Sequence, residues 1–231
     1  MTKGPSISTI IPALNEAHHI ERAVRSAADF EEVIVVDGGS DDATAAIAES
    51  AGAKVIVSDR GRGLQLRVGA AAATGDYFLI LHADNWLAPE CIAQLRDLTS
   101  NAADPPDGHN AVFGCFRQRI DGTSPRFRWL EWGNAIRARR LRLVYGDQAM
   151  FIDRQSYEAV GGFDSVPLME DVILSKKLTR HLQPILLPGP VHISARRWQN
   201  RGLFRQTFRN WCILAAFACG VSPERLVRWY R

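Results

Sequence analysis

The four cysteines of this 231-residue chain, Cys91, Cys115, Cys212 and Cys219, form no C-x-x-C pair. Their scatter excludes the common zinc and dithiol motifs and is expected of reduced thiols in a cytosolic protein. Long apolar runs are missing too. The nearest to one, residues 211–221, is about half of the roughly 18–20 residues a spanning helix needs. Met1 to Ser6 lack the basic and apolar regions of a signal peptide. Charge of one sign is also scarce overall, at a net +3, although arginines crowd residues 117–142 and 196–231. A basic carboxyl-terminal half suits anionic ligands such as nucleotide phosphates or lipid head groups, while no nucleic-acid-binding motif accompanies the charge. The phosphate-loop pattern G-x-x-x-x-G-K-[ST] is absent. Gly61-Arg62-Gly63 starts like G-x-G-x-x-G, but Leu66 holds the third glycine's place, and the segment follows a third strand rather than a first. Repeats and low-complexity tracts are absent as well.

What is present is an ordinary globular composition, 46% hydrophobic and 23% charged, with length for one large domain. The first hundred residues alternate between two periods. Residues 8–11 are β-prone and stopped by Pro12. Residues 16–28 carry Ile20, Val24 and Ala27 at helical spacing, with Asn15 placed to cap them. Residues 33–36 are a continuous β-branched run, the mark of a strand buried on both faces. It ends in Asp37-Gly38-Gly39-Ser40, where Ser40 and Asp41 can cap a helix over residues 41–51. Residues 54–57 and 77–81 read as strands and residues 64–73 as a small-residue helix. Such alternation predicts right-handed βαβ units on a mostly parallel sheet.

After residue 103 the rhythm breaks at a loop, Asp104-Pro105-Pro106-Asp107-Gly108. Residues 111–120 suggest a strand with one exposed face, residues 125–142 a basic amphipathic helix, residues 150–152 a strand and residues 170–180 a helix. Residues 185–190 read as a strand and turn. The last thirty residues form one or two helices, interrupted near Gly220 and Pro223. We expect one domain in three parts: a nucleotide-binding half over residues 1–98, an acceptor and catalytic half over residues 99–200, and a helical appendage over residues 201–231.

Polar residues at strand ends are the candidate chemistry, because ligands of open α/β sheets bind beyond the carboxyl ends of strands. The strand over residues 77–81 runs straight into His82-Ala83-Asp84, where His and Asp can face a divalent metal or a phosphate. Pro12 should turn the chain out of the sheet and expose Asn15 and Glu16. Asp37 can accept hydrogen bonds from a sugar hydroxyl or a base N–H, and Gly38 permits close backbone approach. Each has a plainer structural alternative: a polar strand-to-loop junction, a helix cap, or turn chemistry.

Taken in order, these segments resemble the family 2 glycosyltransferases of GT-A fold. The resemblance is carried by Ile10-Ile11-Pro12-Ala13-Leu14-Asn15-Glu16, Val35-Val36-Asp37-Gly38-Gly39-Ser40-Asp41-Asp42, and Gly69-Ala70-Ala71-Ala72-Ala73-Thr74-Gly75-Asp76 with the strand leading to Asp84. Gly161-Gly162-Phe163-Asp164 and Met169-Glu170-Asp171-Val172 extend it over nearly the whole chain. Tyr145-Gly146-Asp147-Gln148 and Ser194-Ala195-Arg196-Arg197-Trp198 look like the radical-SAM/selenodomain-associated subgroup. The resemblance implies an α/β GT-A-like fold and an inverting transfer from a nucleotide diphosphate sugar to an acceptor hydroxyl or carboxyl, assisted by Mg²⁺ or Mn²⁺. Pro12, Asn15, Glu16, Asp37, Gly38, Arg62, His82, Ala83, Arg196 and Arg197 would bind the donor, with Asp37 facing the base. Asp84 would hold the metal as the last Asp of the family's D-x-D, and His192 resembles the late histidine that completes the metal shell in some such enzymes. Asp171 would be the general base, with Glu170 orienting it or raising its pKa. Asp147 and Gln148 would line the acceptor pocket.

The chain departs from the family pattern at His82, which stands where the first Asp of D-x-D is expected. A neutral imidazole can still bind a transition metal or donate to a phosphate, and a buried hydrogen-bonded histidine is the structural alternative. A non-catalytic sugar-nucleotide-binding module is therefore the rival function. Finally, residues 203–231 mix Phe204, Phe208, Trp211, Leu214, Phe217, Trp229 and Tyr230 with arginines. This segment either packs onto the catalytic domain or lies on an anionic membrane surface, which would make the protein peripheral on the inner face and favour a lipid-like over a small-molecule acceptor.

Overall fold

The computed structural model describes residues 4–102, 111–196, 198 and 203–230. The loop expected at residues 104–108 and Arg197 lie outside the described residues. Eight strands form one curled sheet: β1 (Ile7–Ala13), β2 (Glu32–Asp37), β3 (Lys54–Val57), β4 (Tyr77–Ile80), β5 (Asn85–Leu87), β6 (Phe113–Asp121), β7 (Met150–Asp153) and β8 (Ile185–Ser194). Their spatial order is β3-β2-β1-β4-β7-β6-β8-β5. The first four pair parallel; β7 is antiparallel to both β4 and β6, β8 lies parallel to β6, and β5 closes antiparallel on β8. This is the α/β architecture with a mostly parallel sheet that the alternating periods predict.

Helices cover both faces: α1 (Ile20–Ser26), α2 (Thr44–Ser50) and α4 (Pro89–Ala102) on one, α3 (Arg62–Ala72), α6 (Arg154–Ala159) and α7 (Glu170–Leu178) on the other. The period of two in a strand sorts neighbouring residues between these two cores. Ile11, Val35 and Leu79 join α1, α2 and α4, while Ile10, Ile34, Val36, Phe78 and Ile80 join α3, α6 and α7. The absence of a side chain at Gly69 lets α3 settle on the sheet, since a Cβ there would lie 2.4 Å from Ile10 Cγ2. Past β6, α5 (Arg126–Ile136) continues into a π-helical turn, Arg137–Leu141, in place of the single helix expected to residue 142. Two helices, α8 (Leu203–Ala218) and α9 (Pro223–Tyr230), follow β8. Among the described residues no helix is long and apolar enough to cross a membrane.

Three local expectations are corrected. Pro12 does not end β1, which runs through it to Ala13. The β4 ladder stops at the Ile10–Ile80 pair while pairing to β2 continues, so the missing N–H of Pro12 falls on the side already released. Asn15 does not cap α1, whose N-cap is His19 without a side-chain bond. It stands in the left-handed region at φ 54°, accepts from Asp41 N at 2.8 Å, and its own N–H donates to Ser40 Oγ at 2.9 Å. Ser40 and Asp41 do not cap α2 either; it begins at Thr44, and Ser40 Oγ donates to Asp37 instead. For Asn15, Ser40 and Asp41, bonds between the loops after β1 and β2 stand in place of the expected caps.

Candidate active site

Two cavities meet at the carboxyl end of the parallel strands. The first, of about 400 Å³, is lined by Pro12, Glu16, Arg62, His82, Ala83 and Asp84 among others. The second is a smaller chamber of about 150 Å³ that holds Asp171, Tyr145 and Asp147. Arg62 and His82 line both and so stand at the boundary.

The first cavity has a carboxylate pair on its wall. Burial and the nearby Asp84 carboxylate both raise the Glu16 carboxyl above the ordinary range, and Arg196 opposes them. Arg196 Nη2 reaches Glu16 Oε1 at 3.2 Å. Asn15, Asp37 and Gly38 do not line this cavity. The Asp37 carboxylate accepts from Gly39 N, Ser40 N and Ser40 Oγ at 2.6–2.8 Å and thereby shapes its own loop. Gly38 serves a close approach of another kind, because a Cβ there would meet Gln65 Nε2 at 3.1 Å.

Gln65 was not foreseen. It is buried, and its Nε2 donates to Ala13 O and Val36 O, both at 2.8 Å, joining the ends of β1 and β2 beneath the cavity. In the sequence it is one polar residue on a small-residue helix, with no local sign of its partners.

The chamber is assembled around Gly146. Its N–H donates to Asp171 Oδ2 at 2.8 Å, while Val172 N donates to Asp171 Oδ1 at 2.8 Å. A Cβ on Gly146 would lie 2.7 Å from His82 Nε2 and 3.5 Å from Asp171 Oδ2. A glycine is what allows these two side chains to approach the same point. Asp171 lies in the first turn of α7, where the helix N-terminus favours a carboxylate. Its neighbour Glu170 lines neither cavity; it is fully buried and paired with Arg62 Nε. Burial and Asp171 push the Glu170 carboxyl up, against the Arg62 charge. Glu170 thus positions Arg62 from behind.

The remaining sequence candidates divide. Asp147 lines the chamber, and its carbonyl accepts from Asn85 Nδ2 and Gln118 Nε2. Gln148 does not line it: fully buried, it accepts from Arg137 Nη2 at 2.6 Å. His192 stacks on Trp86, ring centroids 5.2 Å apart, and lines a separate basic cleft with Arg117, Arg119 and Arg139 rather than the cavity that holds Asp84. Among the described residues no three His, Cys, Asp or Glu side chains gather as a metal cage.

The far wall of the chamber comes from α8, through Gln206, Asn210, Ile213 and Leu214. Their 4-3-1 spacing is a helical stripe, a signal the sequence does carry. One face of the carboxyl-terminal helices thus packs against the start of α7 and the loop before it, with Ile213 and Leu226 buried against Leu168, Met169 and Val172. Phe208, Trp211 and Trp229 stay exposed.

This geometry can be set beside known proteins. A protein of Rickettsia bellii described as an uncharacterized glycosyltransferase is 43% identical over 86 residues, 36% of this chain and 29% of the relative. A TPR repeat-containing protein of Synechococcus elongatus is 39% identical over 93 residues, 39% of this chain and 23% of the relative. The chain therefore spans under a third of these two relatives. Among solved structures, glucosyl-3-phosphoglycerate synthase from Mycobacterium tuberculosis with Mn²⁺ and UDP-glucose superposes with TM-score 0.56 at 22% identity, covering 83% of this chain and 70% of that one. Staphylococcus aureus TarS residues 1–349 give TM-score 0.62 at 16% identity, covering 97% and 69%. Those likenesses concern the fold, which is that of GT-A glycosyltransferases. The family profile described as Glycosyl transferase family 2 matches residues 8–156, more than half of the sequence. With the fold and the profile in agreement, the chain belongs to glycosyl transferase family 2.

Proposed function

We propose that the chain transfers a glycosyl group, with inversion, from a nucleoside diphosphate sugar to an acceptor hydroxyl or carboxyl, with Asp171 as general base. The observation that carries this reading is the meeting of two cavities at His82 and Arg62, one bordered by Asp84 and Glu16, the other holding Asp171. The donor diphosphate belongs in the first and the acceptor in the second. The M. tuberculosis neighbour, with UDP-glucose and Mn²⁺, supports the donor class and a divalent ion.

The residues present fit Mg²⁺ or Mn²⁺ in a limited sense. Such ions are often held by one or two carboxylates plus substrate phosphates, and Asp84 and Glu16, which line the same cavity, are carboxylates of that kind. Once bound, the ion would neutralise charge on the departing diphosphate. The chain's own groups do the rest. Asp171, held by Gly146 N and Val172 N, takes the acceptor proton as the acceptor oxygen bonds to the anomeric carbon. The carbon–diphosphate bond breaks on the opposite face, which inverts the centre, and the nucleoside diphosphate leaves. Arg62, fixed by Glu170, lies at the boundary where that negative charge develops, and Arg196 adds a second guanidinium beside Glu16.

The test has two arms. Uridine and guanosine diphosphate sugars, each with Mg²⁺ or Mn²⁺, should raise the melting temperature, and chelation should remove the effect. Asp171→Asn should keep that donor response and lose about 10²–10⁴-fold in turnover. Unchanged turnover would refute the base; a donor response without turnover in the unsubstituted chain would favour a non-catalytic binding module; no thermal response to any donor would refute the donor class.

A further inference from the structure

We propose that the acceptor is amphiphilic, its polar end seated beside Asp171 and its apolar chain lying between α5 and α8, presented from an anionic bilayer. This rests on the reading of the chamber as the acceptor site. The chamber does not close at its outer end. It opens into a groove of about 560 Å³ between α5 and α8, and Tyr145, Asp147, Val172, Trp198, Asn210 and Leu214 line both spaces. Polarity changes along this path. Near Asp171 the walls carry Asp147 and Asn210; in the groove Trp129 and Leu141 on one side face Trp211, Ala215 and Ala218 on the other, and Asn134, Arg137, Lys176 and Thr207 add polar edges to a mainly apolar lining. Trp129, Leu141 and Trp211 are 73%, 67% and 69% exposed. Large apolar side chains facing each other across an open groove gain by enclosing an apolar ligand. A wholly polar acceptor would fill the chamber and leave that groove to water.

The surroundings indicate where such a ligand comes from. Arg139, Arg140 and Arg142 are exposed on and just after the π-helical turn that follows α5. Across α5 from the groove, the basic cleft of Arg117, Arg119, Arg128 and Arg139 includes the exposed Trp132. Glu131 offsets part of that charge by pairing with Arg119 and Arg128. Arginines interleaved with exposed tryptophans match an anionic head-group layer over acyl chains. A second copy of the chain is a poorer occupant, since its matching face would set these arginines against their own kind.

The 231-residue chain is titrated, with tryptophan fluorescence as the signal, against monobutyl and monodecyl phosphate below their micellar concentrations. It is also sedimented with vesicles of phosphatidylcholine alone or mixed with phosphatidylglycerol. Decyl phosphate should bind at least about tenfold tighter than butyl phosphate, as a few buried methylenes suffice for that. Co-sedimentation should require the anionic lipid and weaken with salt. Gly133→Leu places a side chain in the groove where an added Cβ meets nothing within 4 Å, and Trp211→Ser removes an exposed wall; both should cut decyl binding. Equal affinity for the two phosphates, decyl binding unmoved by both substitutions, or a concentration-dependent dimer lost with Trp211→Ser would overturn the proposal. Donor-induced melting shifts, run in parallel, report the underlying reading separately, so an intact donor response with a failed chain-length response sinks only the amphiphile.

Discussion

The cavity beside Asp84 and the chamber beside Asp171 share two walls but are put together from different materials. Apart from Pro167 and Val227, the first is lined by residues between Pro12 and Asp84, all from ends of parallel strands or the start of α3. The second draws on Tyr145, Met169, Trp198 and Asn210, from segments scattered over the rest of the chain. One side is therefore a product of the βαβ rhythm, where each strand end falls beside the next by topology. The other depends on an antiparallel strand, a 3₁₀ turn at Gly146–Gln148 and a carboxyl-terminal helix arriving together. The first geometry follows largely from the sheet and the helix packed on it; the second requires several packing events between distant segments to agree.

Substitutions can break this comparison, and the largest effect is expected at the boundary. Arg62→Leu strands the fully buried Glu170, which should cost about 3 kcal/mol or more in denaturant unfolding and impair donor and acceptor sides together. Adding Glu170→Leu should restore most of the stability without the activity; a stability loss confined below about 0.5 kcal/mol for Arg62→Leu alone would mean that the pair does not hold the boundary. Next comes Gln65→Leu, which removes two buried bonds to Ala13 O and Val36 O and should cost about 1–3 kcal/mol. Its damage should fall on donor affinity and spare decyl phosphate binding. Equal loss of both would show that the two sides are not separable.

The smallest expected effect concerns thiols. Burial pushes Cys91 and Cys115 up to about 12, while Cys212 and Cys219 on the carboxyl-terminal side are exposed. Since the thiolate is the reactive form, iodoacetamide at neutral pH should label the latter pair without unfolding the protein. Rapid labelling of Cys115 would show that the sheet of the second half is looser than that of the first.

Much of the fold and part of the site were legible in advance. The β-branched run before Asp37 and the apolar run before His82 mark strands by composition alone, and His82 and Asp84 do border the cavity. Asp37, Asn15 and Gln148 were singled out by type and position, yet their side chains are engaged within loops or with Arg137. A polar residue at a strand end reads the same whether it faces a ligand or its own turn. His192 shows the same limit, since its stacking on Trp86 joins strands more than a hundred positions apart.

The sequence by itself determined the alternation of elements, the parallel half of the sheet and the strand ends where chemistry gathers. These follow from period and propensity, which act between near neighbours along the chain. Only the tertiary structure decided that Gly146 lets His82 and Asp171 approach one point, that Glu170 backs Arg62, and that α8 walls the chamber while leaving it open to a groove. Those are contacts between distant segments, selected by close packing and by the need of buried polar groups for partners.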